Sequence, residues 1–158
     1  EKKHENIIQK IGFSFNTIEE VKAVLEADLI PDLIQVPFNI LDKRFVIYMK
    51  ELKNKYGTEI HTRSTFLQGL FFMDIKKLNP YFNGIKEWLK ENQDENLPGK
   101  LMKYVADKEY IDKVVMGVNN HSQLLNNINS LRNVSSSLKA VDFQFNDDIL
   151  TPSNWPIN

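Results

Sequence analysis

The sequence contains no cysteine, which excludes disulfides, a thiolate nucleophile and cysteine-ligated zinc. No apolar run approaches membrane-spanning length, and the opening "EKKHEN" is too polar for a secretory signal. Charge of one sign is nowhere concentrated. The 20 Lys and Arg against 21 Asp and Glu give a net charge of −1, with no basic stripe for nucleic acid and no acidic tail. No hairpin dipeptide links two strand-like runs directly. These absences read as a cytoplasmic protein with neither nucleic acid nor membrane as partner.

What remains is ordinary in bulk. The 158 residues are 42% apolar and 26% charged, enough for one domain with a sizeable core and too apolar for a disordered chain. The chain opens on Glu1 rather than methionine, which reads as a front that has been removed.

Four short apolar segments read as buried strands: "QKIGFS" (9–14), "LIQVPF" (33–38), "TEIHTRS" (58–64) and "KVVMGV" (113–118). Each is followed by helical spacing. After the first, Asn16 or Thr17 can cap a helix with Glu19 and Glu20 in its first turn and an apolar stripe of Ile18, Val21, Val24 and Leu25. After the second, Asp42 is placed to cap a helix carrying Phe45, Tyr48, Met49 and Leu52, which Gly57 stops. After the third, "YFNGIKEWLKEN" and "PGKLMKYVADKE" both have helical spacing, with Pro98-Gly99 expected as the turn between them. "NNHSQLLNNINSLR" follows the fourth, and the tail "DDILTPSNWPIN" is expected as coil packed through Trp155. Repeated strand–helix units predict an α/β fold with a parallel sheet.

Polar groups interrupt the carboxyl end of every strand. They are Ser14-Phe15-Asn16, then Gln35 with Pro37-Phe38-Asn39, then Arg63-Ser64-Thr65, then Gly117-Val118-Asn119-Asn120. Parallel α/β folds place their ligand sites at that edge. One such interruption is most simply a core hydrogen bond or a helix cap, whereas four at one edge predict a ligand mouth. Other signals carry less. The glycosylation-like Asn120-His121-Ser122 and Asn133-Val134-Ser135 read as chance matches, and the adjacent pairs Glu19-Glu20 and Asp147-Asp148 as solvated carboxylates.

The segments "KIGFSFNTIEEV", "DLIQVPFNILDKRF", "IHTRSTFLQGLFFMD", "VVMGVNNHSQLLNNI" and "PSNWP" resemble, in order, the last four strand–helix units of an aldo-keto reductase. The resemblance runs from Ile11 to the end of the chain. It implies the C-terminal half of a (β/α)8 TIM barrel made of four parallel strand–helix units. Residues 1–8 would close a preceding helix, and 142–158 would form a C-terminal tail. Complete barrels of this kind need about 250 residues.

The resemblance also assigns roles. Ser14 and Gln35 match the residues that hold the nicotinamide carboxamide of NADP or NAD, a hydroxyl and an amide complementing its donor and acceptor. Phe15 stands where the family often has asparagine. Arg63 stands where many members stack an aromatic ring on the nicotinamide; a guanidinium plane can stack too, and its charge can steer an anionic substrate or a phosphate. Ser64, Thr65, Phe66, Leu67, Gln68 and Gly69 match the loop along the pyrophosphate. Gly117, Val118 and Asn119, with Gln123 and Asn127 on one helix face, match the adenosine end. Asn126 replaces a usual glutamate, and no Lys or Arg lies between Gly117 and Arg132, so the sequence does not choose between NADP and NAD.

The family's catalytic Tyr, Lys, Asp and His come from the first four units, which this chain lacks. Tyr48, Tyr56, Tyr81, Tyr104 and Tyr110 all fall in or beside predicted helices, and His61 falls mid-strand as an interior histidine. No catalytic residue is therefore assigned. The resulting expectation is the cofactor-binding half of an NAD(P)H-dependent carbonyl reductase, inactive by itself, which meets a small carbonyl substrate only as a complete barrel. The alternatives are a non-enzymatic half-barrel that binds nucleotide or protein, and a different phosphate-binding barrel. Its partner would be the missing N-terminal half or a second copy of itself. Half a barrel is expected to leave the sheet's interior face bare and two strand edges unpaired, with Ile34, Val36, Ile60 and Val115 among the residues at risk on either face.

Overall fold

The computed structural model describes residues 7–134, 137–141 and 145–156. Strand β1 (Gly12–Ser14) leads to helix α1 (Ile18–Glu26), β2 (Leu33–Pro37) to α2 (Val46–Tyr56), and β3 (Glu59–Arg63) to a run of 3-10 turns. Helices α3 (Lys86–Asn92) and α4 (Leu97–Ala106) follow, then β4 (Lys113–Val114) and α5 (His121–Arg132). The four strands form one parallel sheet in the order β1-β2-β3-β4. Sequence order and sheet order coincide, as in half of a (β/α)8 barrel.

Local chemistry explains where the helices start and stop. Thr17 caps α1 through a reciprocal box: its Oγ1 accepts the Glu20 N–H, and Glu20 Oε2 accepts the Thr17 N–H. Gly57 ends α2 at φ +69°, the left-handed position that glycine takes without strain. Asp42 does not cap α2, contrary to the sequence expectation. It is fully buried, and its carboxylate accepts the Arg44 backbone N–H at 3.2 Å and the guanidinium at 2.9 and 2.8 Å. The helix begins four residues later, behind Phe45, with no side-chain cap.

Pro98 and Gly99 are likewise not a turn. They lie in the first turn of α4, where proline's missing N–H costs nothing. Gly99 is where α4 meets α5: its N–H donates to Ser130 Oγ at 2.9 Å, and a Cβ there would fall 2.3 Å from the Ser130 carbonyl oxygen. Gly99→Ala is therefore expected to destabilise, by roughly 1–3 kcal/mol of overpacking, although alanine ordinarily favours a helix over glycine. A chemical-denaturation midpoint checks this, and an unchanged or higher midpoint would contradict the close approach.

The strands are shorter than the sequence runs, β4 above all, and Ile7 and Ile8 are not helical. Residues 1–6 of the expected helix end, and 142–144, 157 and 158 of the expected tail, lie outside the described residues. The described part of the tail makes two 3-10 turns, Asp147–Leu150 and Pro152–Asn154. Trp155 anchors it edge-on to Phe82 with ring centroids 5.0 Å apart, and its Nε1–H donates to the Ile149 carbonyl.

Strand alternation sorts the sheet into two unlike faces. Ile34, Val36 and Ile60 point to the helices and are fully buried with Val21, Phe38, Phe45, Met49, Leu52 and Val105. A second core joins Leu70, Phe71, Ile85, Leu89 and Leu101 to the tail's Ile149 and Leu150. The opposite face, which would line a barrel interior, carries Gln35, Glu59, His61, Arg63 and Lys113 in alternating register. It is largely polar, with Leu33 and Pro37 in the same register, and not the bare apolar surface that the sequence suggested. Of the four residues expected at risk, Val115 alone is exposed. Glu59 ties this face together, accepting from Lys10, from Lys113 at 2.9 Å and from the His61 ring at 2.8 Å. Those bonds, Lys10 first, hold its carboxyl far below the usual carboxylate range.

Candidate functional site

The site lies at the carboxyl edge of β2, β3 and β4. Register sets its floor: Ser14 stands opposite Gln35, Gln35 opposite His61, and Pro37 opposite Arg63. Buried Asn39 proves structural: its Oδ1 accepts the Leu41 and Asp42 N–H groups, and its Nδ2 donates to the Ser64 carbonyl at 3.0 Å. That bond fastens the end of β3 to the loop after β2.

Beyond Arg63 the backbone turns left-handed repeatedly, with φ of 64° at Ser64, 42° at Leu67, 52° at Gln68 and 83° at Gly69. Only glycine tolerates this region freely, and a leucine there is a true outlier. Strain of this kind concentrates at ligand sites. The apolar residues of the loop hold the strain in place: Leu67, Leu70 and Phe71 are buried in the second core, and Phe66 meets Phe72 edge-on at 5.1 Å. Of the loop's polar residues, Gln68 is exposed, Ser64 half-buried and Thr65 buried.

A cleft of about 460 Å3 opens along this loop, within the size range of small-molecule sites. It gathers Gln35, Arg63, Ser64, Thr65, Phe66, Leu67, Gln68, Gly69, Gly117, Asn119 and Gln123 from the sequence-predicted residues. Ser14, Val118 and Asn127 are not on its wall. Asn127 lines an adjoining depression that shares Phe66, Asn119 and Gln123 with the cleft. Phe72, Val115 and Met116 also line the cleft and were not foreseen. For Phe72 the six-residue spacing from Phe66 was the only available signal.

Two buried polar atoms along these walls have no partner, Thr65 Oγ1 and Asn127 Nδ2. Their residues are 2% and 6% exposed, and polar groups so buried are ordinarily satisfied. Gln35 makes no side-chain hydrogen bond among the described residues. Asn120 caps α5 by accepting the Gln123 N–H, while Gln123 Oε1 accepts the Asn119 N–H at 2.7 Å, so the mouth of α5 is fixed. Arg63 is the only charged residue on the cleft wall. Its Nη2 donates to the Phe15 carbonyl at 3.2 Å and to Asn16 Oδ1 at 2.5 Å, and its Nη1 to Ser64 Oγ at 3.2 Å. The guanidinium thus spans from β3 to the end of β1, across the end of β2.

None of the five tyrosines lines the cleft. Tyr104 lines a separate cavity of about 520 Å3, whose Lys100, Lys103 and Lys139 are paired with Asp94, Asp107 and Glu91. Among the described residues no cluster of His, Asp and Glu could hold a metal ion, and no helix is long and apolar enough to cross a membrane.

No protein-family model matches the chain, and no curated protein matches it either. Solved structures do. The holo form of aldo-keto reductase AKR11C1 from Bacillus halodurans superposes with a TM-score of 0.67 at 19% identity, covering 87% of this chain and 49% of that one. The apo form gives 0.69 at 19% identity, covering 88% and 50%. The chain therefore spans about half the length of the structures it matches. Four parallel strands in sequential order, each followed by helix or helical turns, and a half-length superposition lead to one architecture: the chain has the fold of half an aldo-keto reductase barrel.

Proposed function

We propose that the chain is the cofactor-binding half of an NAD(P)H-dependent carbonyl reductase of the aldo-keto reductase family. One observation carries this reading. Eleven of the fourteen residues that the sequence resemblance assigns to the cofactor, drawn from three separate strand–helix units, line one strained, largely uncharged cleft at the sheet's carboxyl edge. The unpartnered Thr65 Oγ1 and Asn127 Nδ2 support it, because a polar ligand would satisfy them.

In this reading Gln35, with Ser14 beside it in register, takes the carboxamide. The loop from Ser64 to Gly69 takes the pyrophosphate, and Gln123 with Asn127 the adenosine. The reading takes NADP or NAD: among the described residues no Lys or Arg lines the adenosine end, so a 2′-phosphate would meet no ionic partner there. When bound, the cofactor supplies a hydride to a carbonyl carbon; the proton donor comes from the other half of the barrel.

Gln35→Ala tests the assignment. Its amide has no partner within the described chain, so truncation breaks no internal hydrogen bond. Cofactor affinity of the assembled barrel, followed by fluorescence titration, is expected to weaken by about 1–2 kcal/mol, the worth of one hydrogen-bonded amide pair. Unchanged affinity would remove Gln35 from the site.

A further inference from the structure

Arg63 is a fixed cation without a counter-ion. Three of its five N–H groups are held, and every acceptor holding them is neutral: a backbone carbonyl, an asparagine amide oxygen and a serine hydroxyl. No carboxylate pairs with it among the described residues. Glu20 feels its charge, but Glu20 Oε2 is already taken by the Asn16 and Thr17 N–H groups. Three other half-buried cations are ion-paired: Arg44 is locked on Asp42, Lys53 on Asp112, and Lys100 on Asp94. At Arg63 the full charge is left facing a cleft wall that otherwise carries only neutral residues. Its Nε–H and its second Nη1–H remain unassigned, and the hydroxyls of Ser64 and Thr65 lie on the same wall.

We propose that Arg63 selects an oxyanion at the Gln35 end of the cleft, so that the compound reduced there carries a carboxylate or phosphate close to its carbonyl group. The anion preference follows from the side chain's own geometry. That the anion belongs to a carbonyl substrate rests on the function proposed above. Neutral acceptors orient the guanidinium without neutralising it, which leaves its charge for the ligand. Charge-assisted bonds are about twice as strong as neutral ones. The position of the cation, reaching from β3 toward the end of β1 over Gln35 and Pro37, sets the anion at this end of the cleft rather than beside Gln123.

The test is an amide NMR titration of the isotope-labelled chain assembled with its complementary half, with pyruvate, its neutral methyl ester and inorganic pyrophosphate as probes. Pyruvate is expected to shift the Gln35 and Ser64 signals, and the methyl ester to bind roughly tenfold more weakly or worse. Arg63→Gln is expected to abolish the difference and Arg63→Lys to retain part of it. Equal binding of pyruvate and its ester overturns the proposal. So does an Arg63→Gln chain that still prefers pyruvate. Pyrophosphate alone binding in an Arg63-dependent way overturns it too, because the cation would then serve a cofactor phosphate. Where Arg63→Gln fails to fold, the wild-type comparison of pyruvate with its ester decides. A parallel fluorescence titration with NADPH and NADH separates the two readings. Cofactor binding with no anion preference sinks this proposal alone, and anion preference without cofactor binding sinks the proposed function alone.

Discussion

Assayed by itself with NADPH or NADH and a panel of aldehydes, the chain is expected to show no sustained turnover. Carbonyl reduction needs a proton for the developing alkoxide, and a positioned general acid contributes about 10²–10⁴ in rate. The cleft wall offers none: it holds no Tyr, His, Lys, Asp or Glu. Arg63 is there, but a guanidinium does not give up its proton in a protein. Tyr104 and Tyr110 sit on the helical side, against Phe38, where burial pushes both phenols up. His61 is on the right face but below the mouth, one register step under Arg63 and hydrogen-bonded to Glu59. Under the proposed function, adding a complementary half-barrel should give turnover, since the resemblance places the family's tyrosine there. Cofactor-dependent aldehyde reduction by the chain alone, surviving repurification, would show a proton donor within it, and His61→Gln would then be the first variant to make.

Much of this architecture was legible in the sequence because local chemistry and tertiary packing agree there. Apolar runs followed by Thr17 with Glu20, or closed by Gly57, gave strands and helices at their observed places. Where tertiary partners compete with propensity, reading by pattern failed. Asp42 has the chemistry of a helix cap, yet Arg44 two residues away takes its carboxylate. Pro98-Gly99 has the composition of a turn, but Gly99 is there to let Ser130 approach. No one-dimensional signal distinguishes those cases. Face assignment was open in the sequence for a different reason. In "LIQVP" and "EIHTR" both alternating sets contain residues that a buried sheet tolerates, and only the helices' positions decide which set they cover.

The site was legible to the extent that strand order was. Once the sheet is parallel and sequential, polar residues at strand ends converge, and most of the predicted positions meet on one cleft. Illegible were the left-handed turns at Leu67 and Gln68, because neither residue type advertises that conformation. The unopposed charge of Arg63 was hidden too. A sequence shows a cation but not whether a carboxylate reaches it.

The chain purified alone is expected not to sediment as a stable, well-folded monomer of 18.5 kDa; it should pair with its missing half. Part of the reason differs from the one that the sequence suggested. The sheet's open face is polar and internally ion-paired through Glu59, so it does not by itself demand cover. The demand comes from the flanks. Ile7, Ile8 and Ile11 before β1, with Leu29 and Ile30 after α1, are exposed. Beyond β4, Val115 and the α5 residues Leu124, Leu125, Ile128 and Leu131 are exposed as well. Leu124, Ile128 and Leu131 recur at helical spacing, the stripe by which a helix packs on a neighbour. Strands β1 and β4 also end the sheet with backbone groups open to pairing. Apolar surface concentrated at both flanks of a half-barrel is where the other half would close the ring. A second copy related by a two-fold axis would set β4 of each against β1 of the other, so self-pairing is the competing outcome. Sedimentation of the chain alone, and again after mixing with the complementary half, measures this directly. Aggregation or self-association alone, replaced by one compact 1:1 species on mixing, is the expected result. Substituting Leu124 and Ile128 with lysine should block that species by burying charge in the interface. A soluble, cooperatively unfolding monomer without a companion would end the argument.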